Sequence, residues 1–153
     1  MSPESRTRFV KYWMPLLLWV AAIHFFSTDF LSGSETSRFI VPLLQFLFPG
    51  ISAEGIDVLH GVIRKSGHVA EYFILAVLAY RSFRASQPER ERARLLSLAF
   101  VVLVAISDEV HQLMTISRSG SIIDVGYDTL GAVLALWLAK FHETRHLRSY
   151  SVL

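Results

Sequence analysis

Asp108, Glu109, Asp124 and Asp128 place four carboxylates within 21 positions of a stretch that is otherwise strongly apolar, between "LLSLAFVVLVAIS" and "AVLALWLA". His111 and Gln112 stand beside the first pair, and "RKSGHVAEYF" carries Lys65, His68, Glu71 and Tyr72. Carboxylates in such surroundings are costly unless paired, hydrogen-bonded or liganded. These residue types suit three chemistries. His68 and His111 with Asp108, Glu109, Asp124 and Asp128 are ligands for Zn²⁺ or Mn²⁺, and the oxygens alone suit Ca²⁺ or Mg²⁺, with Asp124 and Asp128 spaced to chelate one ion. His68 or Glu109 has the chemistry of a general base, and Lys65 with Arg118 that of a phosphate clamp. The third is binding without catalysis: Lys65 and Arg118 grip the phosphate of a headgroup while Gln112 and the carboxylates take its hydroxyls or amides.

Absences weigh on this choice. The sequence has no His-Glu-x-x-His pair, no nucleophile elbow and no serine–base pair, so it leans away from an enzyme. A divalent metal is compatible with the residue types but not favoured. The plainest alternative is a structural ion-pair network in which Lys65, Arg118 and Arg64 balance the acids. Glu71, Asp108, Glu109, Asp124 and Asp128 outnumber those three cations. Protons, a bound cation or a ligand must offset the surplus, and ionisable groups among apolar spans point to function by default.

The elements that must position these groups read as membrane helices. The chain has 153 residues, 52% of them hydrophobic and 18% charged, with a mean hydropathy of +0.42. One domain, residues 1–153, is the expectation at this length. No cysteine is present, which excludes disulfides, thiolate metal sites and cysteine nucleophiles. The net charge of +2 and the lack of a basic patch interleaved with aromatics argue against nucleic acid as a partner. Residues 12–30, 62–83, 95–114 and 122–141 approach the ~20 residues needed to cross a bilayer. The last three are interrupted by ionisable groups, so a strict hydropathy window underrates them. Arg6, Arg8 and Lys11 before the first run resemble a signal peptide in outline, but no small-residue cleavage site follows, and a retained helix is expected.

Four spans leave connections at 31–61, 84–94 and 115–121. Arg6, Arg8, Lys11, Arg81, Arg84, Arg90, Arg92, Arg94, Lys140, Arg145 and Arg148 then share one side, 11 of the 15 cations. Positive-inside bias puts that side, with both termini, in the cytoplasm. The candidate residues all fall toward the other, outer side. At 100° per residue, Lys65, His68 and Tyr72 share a stripe about 60° wide, and Asp108, His111 and Gln112 one about 100° wide with Glu109 just off its edge. Asp124, Asp128, Gly131 and Ala135 form a third stripe, whose small residues allow a close helix approach below the carboxylates. A polar pocket in the outer third of the bundle is the resulting picture, with Glu71 a secondary member.

Within the first connection, "SRFIVPLLQFLFPG" is apolar but too short to span, and reads as an interfacial or re-entrant helix able to roof the pocket. Ser52 is placed to cap a following helix that runs into the second span. "RASQPERERAR" reads as an exposed, headgroup-facing turn. His24 is expected to pack or snorkel, His60 to be interfacial, and His142 and His146 to belong to a basic tail. Trp13, Trp19 and Trp137 are expected as interface anchors or core.

"RKSGHVAEYFILAVL", "SDEVHQ" and "RSGSIIDVGYDTLGAVLA", in that order, resemble the VanZ-like membrane family. Its pattern falls here on Lys65, His68, Tyr72, Glu109, Gln112, Arg118, Asp124, Asp128 and Gly131, and the likeness covers about residues 26–139. Many relatives have Asn where this chain has Asp128. The resemblance implies an all-α bundle of four transmembrane helices in the bacterial cytoplasmic membrane and a role in the cell envelope. The family takes its name from a member associated with resistance to the glycopeptide teicoplanin. The expected function is binding of a lipid headgroup or a lipid-linked cell-wall component by Lys65, His68, Tyr72, Asp108, Glu109, Gln112, Arg118, Asp124 and Asp128. The alternative is a membrane-embedded hydrolase or transferase acting on a lipid-linked phosphate, with or without a metal. Transport ranks below both, because the cytoplasmic half lacks a polar path.

Overall fold

A computed structural model describes residues 3–28, 33–114 and 121–150, of which 33–35 and 146–150 are described in backbone only. Five helices make up these residues: α1 (Pro3–Phe26), α2 (Gly33–Leu47), α3 (Ala53–Ser86), α4 (Arg90–Leu113) and α5 (Ile122–Tyr150).

Helix α3 is the spine. Ser52 starts it as expected, its extended backbone turning the Oγ to accept from the Gly55 N–H at 3.1 Å, which satisfies one of the helix's orphan donors. Its 34 residues rise about 51 Å, well beyond the ~30 Å of a bilayer core, so the capped helix and the second expected span are one continuous rod. Pro88 helps end it, having no N–H to donate. Arg84 Nη1 then donates to the carbonyls of Gln87 (2.6 Å) and Pro88 (3.0 Å), closing a turn far shorter than the connection expected over residues 84–94.

The other helices are arranged around α3, and α5 packs on it most extensively. Gly131 explains the approach: a Cβ there would run into the Val69 carbonyl oxygen and lie 3.1 Å from the Phe73 nitrogen. Ala132 and Ala135 continue the small-residue seam, fully or almost fully buried. Tyr72, Leu75, Ala76, Val101 and Ala105 join it to form the core with Leu16 and Ile23 of α1. Helix α1 is tied by polar bonds as well. Trp19 Nε1 donates to the Glu71 carbonyl at 3.0 Å, and Ser82 Oγ to the Tyr12 carbonyl at 2.7 Å. Trp13 meets Phe83 edge-on, 5.4 Å between centroids. Both tryptophans therefore fix α1 to α3. Helix α2 packs on α3, with Leu44 buried and Phe39 and Phe46 each 80% exposed.

Helix α1 and residues Ile122–Arg145 of α5 are long and apolar enough to cross a membrane. The core helix of a soluble protein can meet the same test, but only 11% of the apolar window in α1 and 28% of that in α5 is buried. Most of their apolar side chains face outward, as on a lipid-facing helix. The last span, expected to be underrated by hydropathy, passes unaided; α3 and α4 do not reach the same apolarity.

Candidate ligand pocket

One end of the bundle gathers acids from three helices. On α3, His68 Nδ1 lies 3.2 Å from Asp128 Oδ1 of α5, within hydrogen-bond and ion-pair distance. Asp128 is fully buried, and its Oδ2 has no hydrogen-bond partner among the described residues. On α4, Asp108 Oδ2 accepts from Gln112 Nε2 one turn on, at 3.0 Å, while the buried Oδ1 has no partner there. Glu109 Oε2 accepts the Ser121 N–H at 2.5 Å and so ties the end of α4 to the start of α5. The positive end of the α5 dipole makes that a favourable place for a carboxylate. Its Oε1, the Tyr72 hydroxyl and His111 Nδ1 are also buried without partners among the described residues. A buried atom of this kind carries a desolvation cost until a donor or acceptor meets it.

A cavity of about 280 Å³ opens beside this cluster, lined by Ile23, Phe26, Ser27, Thr36, Arg64, Gly67, His68, Glu71 and Asp108. Helix α2 contributes to the wall through Thr36, whose Oγ1 lies 3.4 Å from His60 Nε2 of α3. The face that α3 presents to the cavity is Arg64, Gly67, His68 and Glu71, spaced i, i+3, i+4, i+7 as a single helical stripe requires. His24 of α1 lies 3.3 Å from Ser107 Oγ of α4, with its ring centroid 6.2 Å from that of His111.

The sequence-derived candidates divide as follows. His68 and Asp108 line the cavity. Asp128, Glu109, Gln112 and Tyr72 are buried behind it. Asp124 is half-buried in the first turn of α5. Lys65 stands elsewhere, its Nζ 4.5 Å from the centroid of the Tyr127 ring in a separate groove between α3 and α5. The expected stripe of Lys65, His68 and Tyr72 is split because adjacent side chains of α5, Tyr127 and Asp128, take different members of it. Arg118 lies outside the described residues. Glu71, a secondary candidate, lines the cavity, as do Ser27 and Thr36, which were not singled out, and Arg64, considered only for charge balance. The signal for Arg64 and Glu71 was their spacing of four and three residues from His68. No group of three His, Asp or Glu side chains among the described residues converges on a metal-sized centre.

The opposite end is built differently. Glu143 of α5 accepts from Tyr80 Oη of α3 at 2.7 Å and from Arg94 Nη2 of α4. Arg94 Nη1 reaches Glu91 at 2.7 Å, and Lys140 reaches the same carboxylate at 3.4 Å. Arg94 beside it holds the Glu91 carboxyl below the usual range. The charge run in "PERERAR", expected to be solvated, thus supplies a clamp across three helices, with the Arg94 side chain only 11% exposed.

A family model described as VanZ/LLP1 matches residues 12–143, which contain every candidate named above. No curated protein and no solved structure matches the chain.

Proposed function

Because the chain belongs to the VanZ-like family, we propose that it is a multi-pass membrane protein whose acid-rich pocket binds a lipid headgroup or the polar stem of a lipid-linked cell-wall component. In this reading α1, α3, α4 and α5 span the bacterial cytoplasmic membrane and α2 lies at its outer surface. The outward apolar side chains of α4, such as Leu103 and Leu113 at 66% exposure each, support a lipid-facing role for a helix that hydropathy alone underrates. Positive-inside bias supports cytoplasmic termini and an outer-leaflet pocket.

The carrying observation is Asp108: 2% exposed, on the cavity wall, with one carboxylate oxygen unpartnered among the described residues. Such an atom asks for a donor from a ligand. Hydroxyl or amine groups supply one, and Arg64 at the rim offers a partner for a headgroup phosphate. Binding needs no aligned nucleophile, which keeps it ahead of hydrolysis or group transfer.

Native mass spectrometry of the protein purified in mild detergent tests this. Wild type is expected to retain one more phosphorus-containing lipid or lipid-linked molecule than Asp108→Asn, which remains monodisperse. Equal retention by both, or an empty wild type, would contradict the reading.

A further inference from the structure

The groove that takes Lys65 is a second site, separate from the acid-rich pocket. Its volume is about 540 Å³, nearly twice that of the polar cavity, and its walls are apolar: Val62, Val69, Phe73, Ile74 and Leu130. On α3 the lining positions Val62, Lys65, Val69 and Phe73 fall at spacings of three and four, so the groove follows the helix axis along one outward stripe. From Lys65 to Ile74 it descends nine residues, about 14 Å. That is close to the roughly 15 Å hydrocarbon depth of one leaflet, half of the whole core.

Lys65 stands near the outer end. It has no ion-pair partner among the described residues, and the Tyr127 ring, 4.5 Å away, holds its Nζ over the groove. A cation–π contact of this kind positions an ammonium without neutralising it. A cation over a leaflet-deep apolar channel has the layout of an acyl chain with a phosphate at its head. We propose that this groove binds one anionic glycerophospholipid, with an acyl chain along Val69, Phe73 and Ile74 and the phosphodiester on Lys65.

Charge decides the headgroup class. A zwitterionic lipid brings its own ammonium beside Lys65, and none of the groove's lining residues is a carboxylate that would receive it. A headgroup of net negative charge leaves the Lys65 contact uncompensated and favourable. The depth argument rests on α3 spanning the membrane, as in the reading above, whereas the choice of an anionic lipid rests on the groove itself.

The test is native mass spectrometry of the full chain in detergent, titrated with phosphatidylglycerol or phosphatidylcholine carrying identical acyl chains. Wild type is expected to favour phosphatidylglycerol about fivefold, the worth of one lysine contact to an anionic lipid. Lys65→Gln should abolish the preference. Lys11→Gln, which removes a lysine that also lies over a tyrosine ring but outside the groove, should keep it. Ala70→Trp, which fills the groove and leaves the charge, should lower binding of both lipids. No preference in wild type, or one that survives Lys65→Gln in a variant of unchanged melting temperature, overturns the proposal. Spanning is read separately in the cysteine-free chain by impermeant maleimide at Val58→Cys and Arg92→Cys. Labelling of both from one side sinks the spanning reading alone.

Discussion

The two ends of the bundle treat charge in opposite ways. At the end near Glu143, the carboxylates of α4 and α5 are paired, and Tyr80 of α3 adds a hydroxyl: Arg94 bridges Glu143 and Glu91, Lys140 and Arg90 close the set, and Arg94 Nε is buried without a partner among the described residues. At the end near Asp108, buried oxygens of Asp108, Glu109 and Asp128 have no partner among the described residues, and a cavity lies alongside. The first is what an ion-pair network made for stability looks like in this molecule. Among the described residues, the second does not match that description. The contrast supports the proposal that the acid-rich end is kept for a ligand, at a cost in stability that mutation can measure.

The contrast sharpens under mutation. Glu143→Gln should give the largest effect, because it takes the charged acceptor from the Tyr80 hydroxyl and leaves the nearly buried Arg94 with the exposed Glu91 as its remaining carboxylate. A loss of about 2 kcal/mol is expected from thermal unfolding, reduced from the value for a fully buried pair because Glu143 is partly exposed. A stability unchanged from wild type would break the comparison by making this end no more structural than the other. Glu91→Gln should have the smallest effect, since that side chain is 60% exposed. Its carboxyl lies below the ordinary range because Arg94 donates to it. The contribution is therefore full above the unfolded carboxylate value and is lost as pH falls through the lower folded one. The small gap between wild type and Glu91→Gln should close when unfolding is followed from neutral pH to below about pH 4. A gap that widens on acidification would contradict the assignment.

Much of the fold was legible because membrane-like helices announce themselves by length and apolarity. The runs of α1 and α5, the Ser52 cap and the small-residue seam at Gly131 and Ala135 all follow from local pattern. The convergence of His68, Asp108 and Asp128 followed from counting which helix ends share a side. What a helical wheel does not contain is the identity of the neighbour filling each sector. Lys65 and His68 lie close in angle on α3, yet Tyr127 takes one and Asp128 the other. Arg64 and Glu71 were within reach by spacing, but the cavity that selects them also needs Ser27 from the end of α1 and Thr36 from α2, whose placement depends on chain packing over long separations. The clamp at Arg94 was hidden for a similar reason. A charge run reads as solvated until Glu143, 49 residues away, is brought beside it.

The central claim is that the acid-rich end serves a ligand and not the fold. Its most direct test is thermal unfolding of lipid-stripped Asp108→Asn beside lipid-stripped wild type, since a retained ligand would itself stabilise the latter. Asparagine keeps an acceptor for the Gln112 amide and removes a buried charge. The account predicts a stability equal to wild type or higher by about 1 kcal/mol. A fall as large as that of Glu143→Gln would contradict it and make the carboxylates a structural network after all.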